Sequence, residues 1–385
     1  MNKTIYLITS EESFCNNYGA LLQGFALNQI LNDMGYDSSI IRYKGDGDIK
    51  KNSLLKNPIT RFCKRIAIFV FCRKDAYLKS YKNDIKQRLK KIIKFQDLHI
   101  KFANTRQWSF RELKRKKPVA YAYVCGSDQI WNPCFNGNDR GYFLTFVPKG
   151  TKKIAYAPSL GVNEIPQKDV DIIRSYVDDF DFLSIREQNG VNLLKKITSK
   201  KVDWVLDPTL VLERKKWAHL AVDVCRKPYI LVYHFSGENQ LKDCVLRLSQ
   251  KYNLDVISIP MNKVSYNDGF EFNFAGVEEF LGLIKNAKLV CTDSFHATVF
   301  SIILNTPFLV FMREQIASGV DMNSRIESLL MMTNLTDRIV VTPQTIEQLN
   351  IFECDYGQAY AKIDELKTFS YNYLQSALGG GYDNI

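Results

Sequence analysis

Histidine is scarce in this chain of 385 residues: there are four, His99, His219, His234 and His296, and they do not cluster. The nine cysteines are an odd number, scattered along the chain with no C-x-x-C pair. Together these features argue against a disulfide framework and a zinc site and for a reducing compartment. Long apolar runs are missing too. No stretch approaches the ~18 residues needed to span a bilayer. The opening "MNKTIYLITSEESF" has one lysine, an apolar run too short for a secretory signal, and Glu11 and Glu12 close behind it. No internal repeat recurs at a fixed period, and low complexity is confined to the terminal "GGGYDNI".

What is present is an apolar content of 46%, enough for a large core, in a chain long enough for two domains. Lys and Arg number 52 against 41 Asp and Glu, a net charge of +11. Such a balance suits an anionic ligand or surface, or serves solubility alone. The excess is concentrated in residues 50–95, with fifteen Lys or Arg against Asp75 and Asp84, around "RIAIFVFC" at 65–72. This segment reads either as a membrane-surface element or as an inserted helical pair packed on the domain. It lacks interleaved stacking aromatics, which speaks against a nucleic-acid partner.

Elsewhere apolar strands alternate with helical patterns. Strands are expected at 5–9, 39–43, 119–125, 153–156, 182–185 and 202–206, then at 229–235, 255–259, 288–291 and 307–311. This rhythm predicts an α/β protein of two Rossmann-like domains facing a cleft. The first covers 1–212 and carries a basic helical insert at about 50–117. The second covers 213–385 and includes a C-terminal helix.

Ligands of open α/β sheets sit beyond the carboxyl ends of the strands, so residues there are the candidates. In "YVCGSDQIWNP", Gly126 allows close approach, Ser127, Asp128 and Gln129 offer hydrogen bonds, and Trp131 offers a flat face to a sugar ring. The alternative is an ordinary helix cap and a core tryptophan. In "CNNYGALLQ", Asn16 or Asn17 caps a helix while Tyr18 and Gln23 reach toward the cleft. Arg186 in "SIREQNGV" presents a fork for carboxylate or phosphate, or else pairs with Glu187 at the surface. In "TDSFHATVF", Thr292, Asp293 and Ser294 lead from a strand into a helix, which puts His296 in the first turn. A helix N-terminus favours the neutral imidazole, suited to general base work or to donating a hydrogen bond to an anion.

These segments, with "NNYGALLQGFAL", "VLDPTLVL" and "SRIESLL", occur in an order that resembles the polysaccharide pyruvyltransferase family. The resemblance runs over nearly the whole chain. It implies a glycosyltransferase-B-like fold and a metal-independent transfer of pyruvyl from phosphoenolpyruvate to two hydroxyls of one sugar, closing a cyclic ketal. The co-substrate is phosphoenolpyruvate, with no further cofactor. The acceptor is a polysaccharide or lipid-linked glycan, of the kind found in exopolysaccharide and capsule, which points to the cytoplasm and the inner face of an anionic membrane. The resemblance implies His296 for acid–base work and Arg186, Asp293, Ser294 and Arg325 for the donor. Asn16, Asn17, Tyr18, Gly126, Ser127, Asp128, Gln129 and Trp131 fall to the acceptor. In one respect the chain departs from the pattern: many members carry an arginine two residues before the histidine, where Ser294 stands here. Two other readings use the same fold, a glycosyltransferase with a nucleotide-sugar donor and a non-catalytic glycan-binding protein.

Overall fold

The computed structural model describes residues 3–11, 17–45, 80–225, 227–236, 239–313, 322–342, 346–347 and 349–379. Asn16 and the apolar stretch at 65–72 lie outside them.

Two six-stranded sheets, each wholly parallel, form two α/β units. The first comprises β1 (Thr4–Ile8), β2 (Asp37–Ile40), β3 (Ala122–Cys125), β4 (Lys152–Ala155), β5 (Phe182–Ile185) and β6 (Val202–Trp204). Its order is β2-β1-β3-β4-β5-β6. The second comprises β7 (Tyr229–Tyr233), β8 (Asp255–Ser258), β9 (Glu271–Phe272), β10 (Leu289–Thr292), β11 (Phe308–Phe311) and β12 (Ile339–Val340), ordered β12-β11-β10-β7-β8-β9. Every residue of β3, β7, β10 and β11 is buried. That follows from helices covering both sheet faces, and it explains the continuous apolar runs in the sequence. The sequence reading omits β9 and β12, two-residue edge strands too short to show a period.

Helix α1 (Tyr18–Asp33) starts where Asn17 Oδ1 accepts from the amides of Gly19 (2.9 Å) and Ala20 (3.3 Å), and it ends before Gly35 at φ +83°. Nearly all of α1 is buried because it lies between the units. The Tyr18 ring stacks on Phe280 at 4.4 Å, and its hydroxyl donates to the Ala275 carbonyl at 2.6 Å. Phe25 meets Trp217 edge-on at 5.7 Å, and Trp217 meets Phe300 at 5.0 Å. One apolar core therefore runs through both units. Each such buried aromatic or aliphatic side chain contributes roughly 1.5–3 kcal/mol.

Helix α2 (Lys82–His99) is the described part of the basic segment, and it packs. Ile85, Arg88, Ile92, Phe95 and Gln96 are buried. Arg88 Nη1 donates to the Pro260 carbonyl at 2.5 Å, Lys91 pairs with Glu279 at 2.7 Å, and Phe95 meets Phe25 at 5.5 Å. Helix α2 thus bridges the units, while Lys82, Lys86, Lys90 and Lys94 stand exposed along its outer face. Helices α3 (Val277–Asn286), α4 (Phe295–Ile303) and α5 (Ser324–Met332) belong to the second unit.

The closing helix α6 (Gly357–Ala377) corrects one expectation. It does not stay with the second unit. Tyr360 donates to the Ile302 carbonyl at 2.9 Å, but Tyr373 donates to Ala155 O at 2.8 Å, and Ser370 Oγ accepts from the Leu206 amide at 2.9 Å. The helix begins on one unit and ends on the other, because its buried Tyr373, Leu374 and Ala377 find their apolar partners on the first.

Candidate active site between the two units

Asp207, which follows β6, gathers the site. Its Oδ1 caps the next turn, accepting from Thr209 N (3.0 Å) and Thr209 Oγ1 (2.6 Å). Its Oδ2 accepts from Ser127 Oγ at 2.8 Å and from Arg186 Nη1 at 2.6 Å. His296 Nε2, from the second unit, stands 3.6 Å from the same oxygen, an ion-pair rather than a hydrogen-bond distance. Burial alone would raise the carboxyl group, but His296, Arg186 and Thr209 outweigh it and hold Asp207 far below the usual carboxylate range. Asp207 is therefore an anion in the folded protein.

Ser127 connects this oxygen to α1: its carbonyl accepts from Thr9 Oγ1 (3.1 Å), which accepts from Gln23 Nε2 (2.8 Å). Asp128 adopts φ 72°, a left-handed conformation that costs an L-residue roughly 1–2 kcal/mol. Its carboxylate lies 3.9 Å from Arg186 Nη2. Such strain at a strand end is common where function fixes the backbone. Gln129 Nε2 faces Met322 Sδ of the second unit at 3.7 Å.

Other candidates are placed differently. Gly126 is approached by neighbouring side chains, since a Cβ there would meet Leu27 Cδ2 at 3.2 Å and Thr9 Cβ at 3.4 Å. Trp131 is only 1% exposed. Its indole stacks on Phe143 at 4.8 Å and its N–H donates to the Tyr142 carbonyl at 3.2 Å, so it is a core residue and offers no open face. Asn17 caps α1, and Tyr18 is spent on the unit interface.

In the second unit, Asp293 accepts from the amides of Phe235 (2.9 Å) and Ser236 (2.7 Å), from Ser236 Oγ (2.6 Å) and from Arg313 Nη2 (3.1 Å). It ties the end of β7 to the end of β10. Ser294 is the N-cap of α4, accepting from Ala297 N at 3.4 Å. His296 falls in the first turn of α4, as expected, and is 6% exposed. It crosses to the first unit: a Cβ built on Gly19 would lie 2.0 Å from His296 Nδ1.

The two arginines share one aromatic ring. The guanidinium of Arg186 lies 4.6 Å from the Phe295 centroid and that of Arg325 5.9 Å from it. Burial works against the Arg186 charge, but Asp207, Asp128 and Glu187 hold the proton more firmly than usual. Arg325, on α5 and 7% exposed, has no carboxylate within ion-pair distance among the described residues. Burial first, and then the like charge of Arg186, push its guanidinium down to about 10. Five buried polar atoms without a hydrogen-bond partner converge here: Arg186 Nε and Nη2, Arg325 Nε, Glu187 Oε2 and His296 Nε2. Unmade bonds of this kind cost about 1–3 kcal/mol each. Their concentration marks a place built to hold something polar. Arg186, Glu187, Asp207, Phe295 and Arg325 line a cavity there of about 20 Å³.

A larger cavity, about 390 Å³, lies between the amino ends of β5 and β6 and helix α6. It is at the wrong end of the strands for an α/β ligand site. Its charged groups are already engaged: Lys201 pairs with Asp203 at 2.9 Å, Asp181 accepts from the Lys153 amide at 2.8 Å, and Lys200 donates to the Phe180 carbonyl. Among the described residues, no three His, Cys, Asp or Glu side chains converge on a metal-sized site, and no helix is long and apolar enough to cross a membrane.

Sequence reading missed Asp207. The available signal was an aspartate before proline just past a predicted strand, within "VLDPTLVL". The alternative it kept for Arg186, a surface pair with Glu187, does not form: Glu187 Oε1 accepts from Ser159 Oγ (3.0 Å) and the Leu160 amide (2.8 Å).

Two solved structures align end to end with the chain. UDP-N-acetylglucosamine 2-epimerase from Rickettsia bellii matches with a TM-score of 0.51 at 13% identity, over 98% of this chain and 97% of its own. The S. aureus MnaA structure with UDP matches with a TM-score of 0.53 at 12% identity, over 100% of this chain and 99% of its own. At such identities the likeness is one of fold, the glycosyltransferase-B-type pairing of two Rossmann-like units. No curated protein matches the sequence. The family described as polysaccharide pyruvyl transferase matches residues 17–315, a span that takes in Ser127, Arg186, Asp207 and His296 and stops short of Arg325. With most of its length and all but one of these site residues inside that match, the chain belongs to the polysaccharide pyruvyl transferase family.

Proposed function

We propose that this site binds phosphoenolpyruvate and transfers its pyruvyl group to two hydroxyls of one sugar in a polysaccharide or lipid-linked oligosaccharide. The observation that carries the reading is Arg325: a buried guanidinium with no carboxylate within ion-pair distance among the described residues, sharing the ring of Phe295, the neighbour of His296 in the chain, with a second buried arginine. Uncompensated buried charge is expensive, and an anion carrying both phosphate and carboxylate offsets it. The arginine that many family members place two residues before the histidine is Ser294 here, a helix cap, and Arg325 supplies a cation in its stead.

In the reaction C3 of phosphoenolpyruvate gains a proton, and C2 becomes electrophilic. One sugar hydroxyl bonds to C2, phosphate leaves as the C2–O bond breaks, and the second hydroxyl closes the ketal. The two hydroxyl protons end on C3 and on the released phosphate. His296 moves protons, while Arg186 and Arg325 hold the anionic groups in a water-poor site where their charges act strongly. A cavity of about 20 Å³ has room for about one water molecule, so donor entry requires the units to part.

The competing donor is a nucleotide sugar, since the S. aureus neighbour holds UDP. Thermal-shift measurements with phosphoenolpyruvate and with a panel of uridine and guanosine diphosphate sugars separate the readings, because a ligand selective for the folded state raises its stability. Stabilisation by phosphoenolpyruvate alone is expected. Stabilisation by a nucleotide sugar alone transfers the case to glycosyl transfer, and a response to neither leaves the glycan-binding reading.

Arg325→Met should stabilise the ligand-free protein, since an apolar side chain of similar length removes a buried unpaired charge. It should also weaken phosphoenolpyruvate binding by about 10- to 100-fold, the scale of one hydrogen bond to a charged group. Calorimetry of binding with thermal unfolding of the same sample reads both. Unchanged affinity with lowered stability would make Arg325 a structural residue.

The outer face of α2 supports an anionic membrane as a further partner. Lys86, Lys90 and Lys94 are exposed at intervals of one helical turn, and such like charges repel unless an anionic surface meets them. Each contributes on the order of 1 kcal/mol at such a surface. Replacing all three with Glu should abolish co-sedimentation with anionic vesicles and leave turnover on a soluble acceptor intact. Equal recovery of the wild type with neutral vesicles would count against the proposal.

A further inference from the structure

We infer that Asp207 and Gly19, both of the first unit, commit His296 of the second to proton transfer through Nδ1. The inference rests on the reading of His296 as an acid–base group and adds which atom acts and what holds it. Three facts meet at the ring. Nε2 is buried, lacks a hydrogen-bond partner and faces the ionised Oδ2 of Asp207 at 3.6 Å. That oxygen already accepts from Ser127 and Arg186, so it presents only negative charge to the ring. Nδ1, separated from Nε2 by Cε1, lies on the side of the ring that meets Gly19, where a Cβ would sit 2.0 Å from Nδ1, 2.3 Å from Cγ and 2.7 Å from the His296 Cβ.

A lone pair on Nε2 aimed at a carboxylate would be repelled, so Nε2 carries its proton and the neutral ring has its basic electron pair on Nδ1. The atom that takes and gives protons is thus on the side of the α1 N-terminus. Arg186 lies on the Asp207 side of the ring, 2.6 Å from that carboxylate. The imidazole so divides the site, with the donor's anionic groups on one side and the exchanging oxygen or carbon on the other. Gly19 is required by space: its φ is unexceptional, but any side chain at this position occupies the volume of the imidazole. Its amide already donates to Asn17 Oδ1 at 2.9 Å and so does not occupy the electron pair of Nδ1. Gly19 and Asp207 are positioning residues. Because they and His296 come from different units, the acid–base centre is complete only when the units are closed.

Two measurements test this. In the wild-type protein with 15N-labelled histidine, the His296 resonances, assigned by their loss in His296→Ala, should report the Nε2–H tautomer at pH values where the ring is neutral. A dominant Nδ1–H form would overturn the inference, whatever the reaction proves to be. Second, Gly19→Ala should lower the melting temperature and cut turnover at least 10²-fold, both by displacing the ring. In the His296→Ala background the same substitution should cost neither, since the clash is gone. A loss of stability from Gly19→Ala that persists in the His296→Ala background would place its effect elsewhere in the fold. Full turnover in Gly19→Ala, with turnover lost in His296→Ala, would sink the inference and leave the acid–base reading standing. Full turnover in His296→Ala would remove that reading itself.

Discussion

Replacing His296 with alanine is expected to cut turnover by about 10²- to 10⁴-fold, the range over which a positioned general acid–base group acts. The protein should still fold. His296 is in the first turn of α4, but the cap of that helix is Ser294, and its apolar packing comes from Ala297, Val299, Phe300 and Ile302. The imidazole leaves one carboxylate contact at 3.6 Å behind, and Asp207 keeps Ser127, Arg186 and Thr209. Phosphoenolpyruvate affinity should change little, because the two guanidinium groups remain. Phosphate release during turnover, with donor binding by calorimetry, reads the two effects separately. Near-normal release would make the histidine a packing residue at the unit interface.

Asp207→Asn carries the largest stability effect. The amide can keep an oxygen toward Thr209, but it then turns an NH₂ group toward Ser127 Oγ, Arg186 Nη1 and His296 Nε2. Arg186, buried and deprived of its 2.6 Å partner, becomes an uncompensated cation, and breaking such a pair costs about 3–5 kcal/mol. The pH dependence has a definite sign. The folded-state carboxyl group is depressed, so its contribution is complete above the unfolded value of about 4 and is lost as pH falls below it toward the folded value. Urea unfolding at pH 7 and across the acid range should show wild-type stability falling below about pH 4. The Asn variant should start lower and respond less. Replacing both partners with apolar residues, Asp207→Leu with Arg186→Met, should recover much of the stability and none of the turnover. If Asp207→Asn unfolds like the wild type at every pH, the carboxylate is not the partner that holds Arg186.

The local elements were legible because each rests on short-range chemistry. Buried parallel strands appear as apolar runs, a helix begins where an Asn or Ser accepts from amides two or three residues on, and Gly35 ends α1 through a left-handed φ. His296 was recognisable for the same reason: a cap at Ser294 after a strand fixes the first turn of α4. The two-residue strands β9 and β12 carry no such signal, since their pairing depends on neighbours already in place.

What the sequence could not show is which groups meet. For Arg186 it offered an anionic ligand or a surface pair with the adjacent Glu187, whereas successive residues leaving a strand point different ways. The fold brought Asp207 to the arginine from the end of a neighbouring strand. It offered Trp131 as an open face, but the 142–143 segment closed over it. It identified Arg325 as a cation, yet that this charge is buried and lacks a carboxylate depends on every element packed around it. By itself the sequence determined two parallel α/β units, the caps that start their helices and the residue types at their strand ends. Only the tertiary structure decided that His296 is held between Gly19 and Asp207 of the other unit. Capping and strand formation are settled within a few residues, while the environment of a buried charge is set by side chains brought from far along the chain.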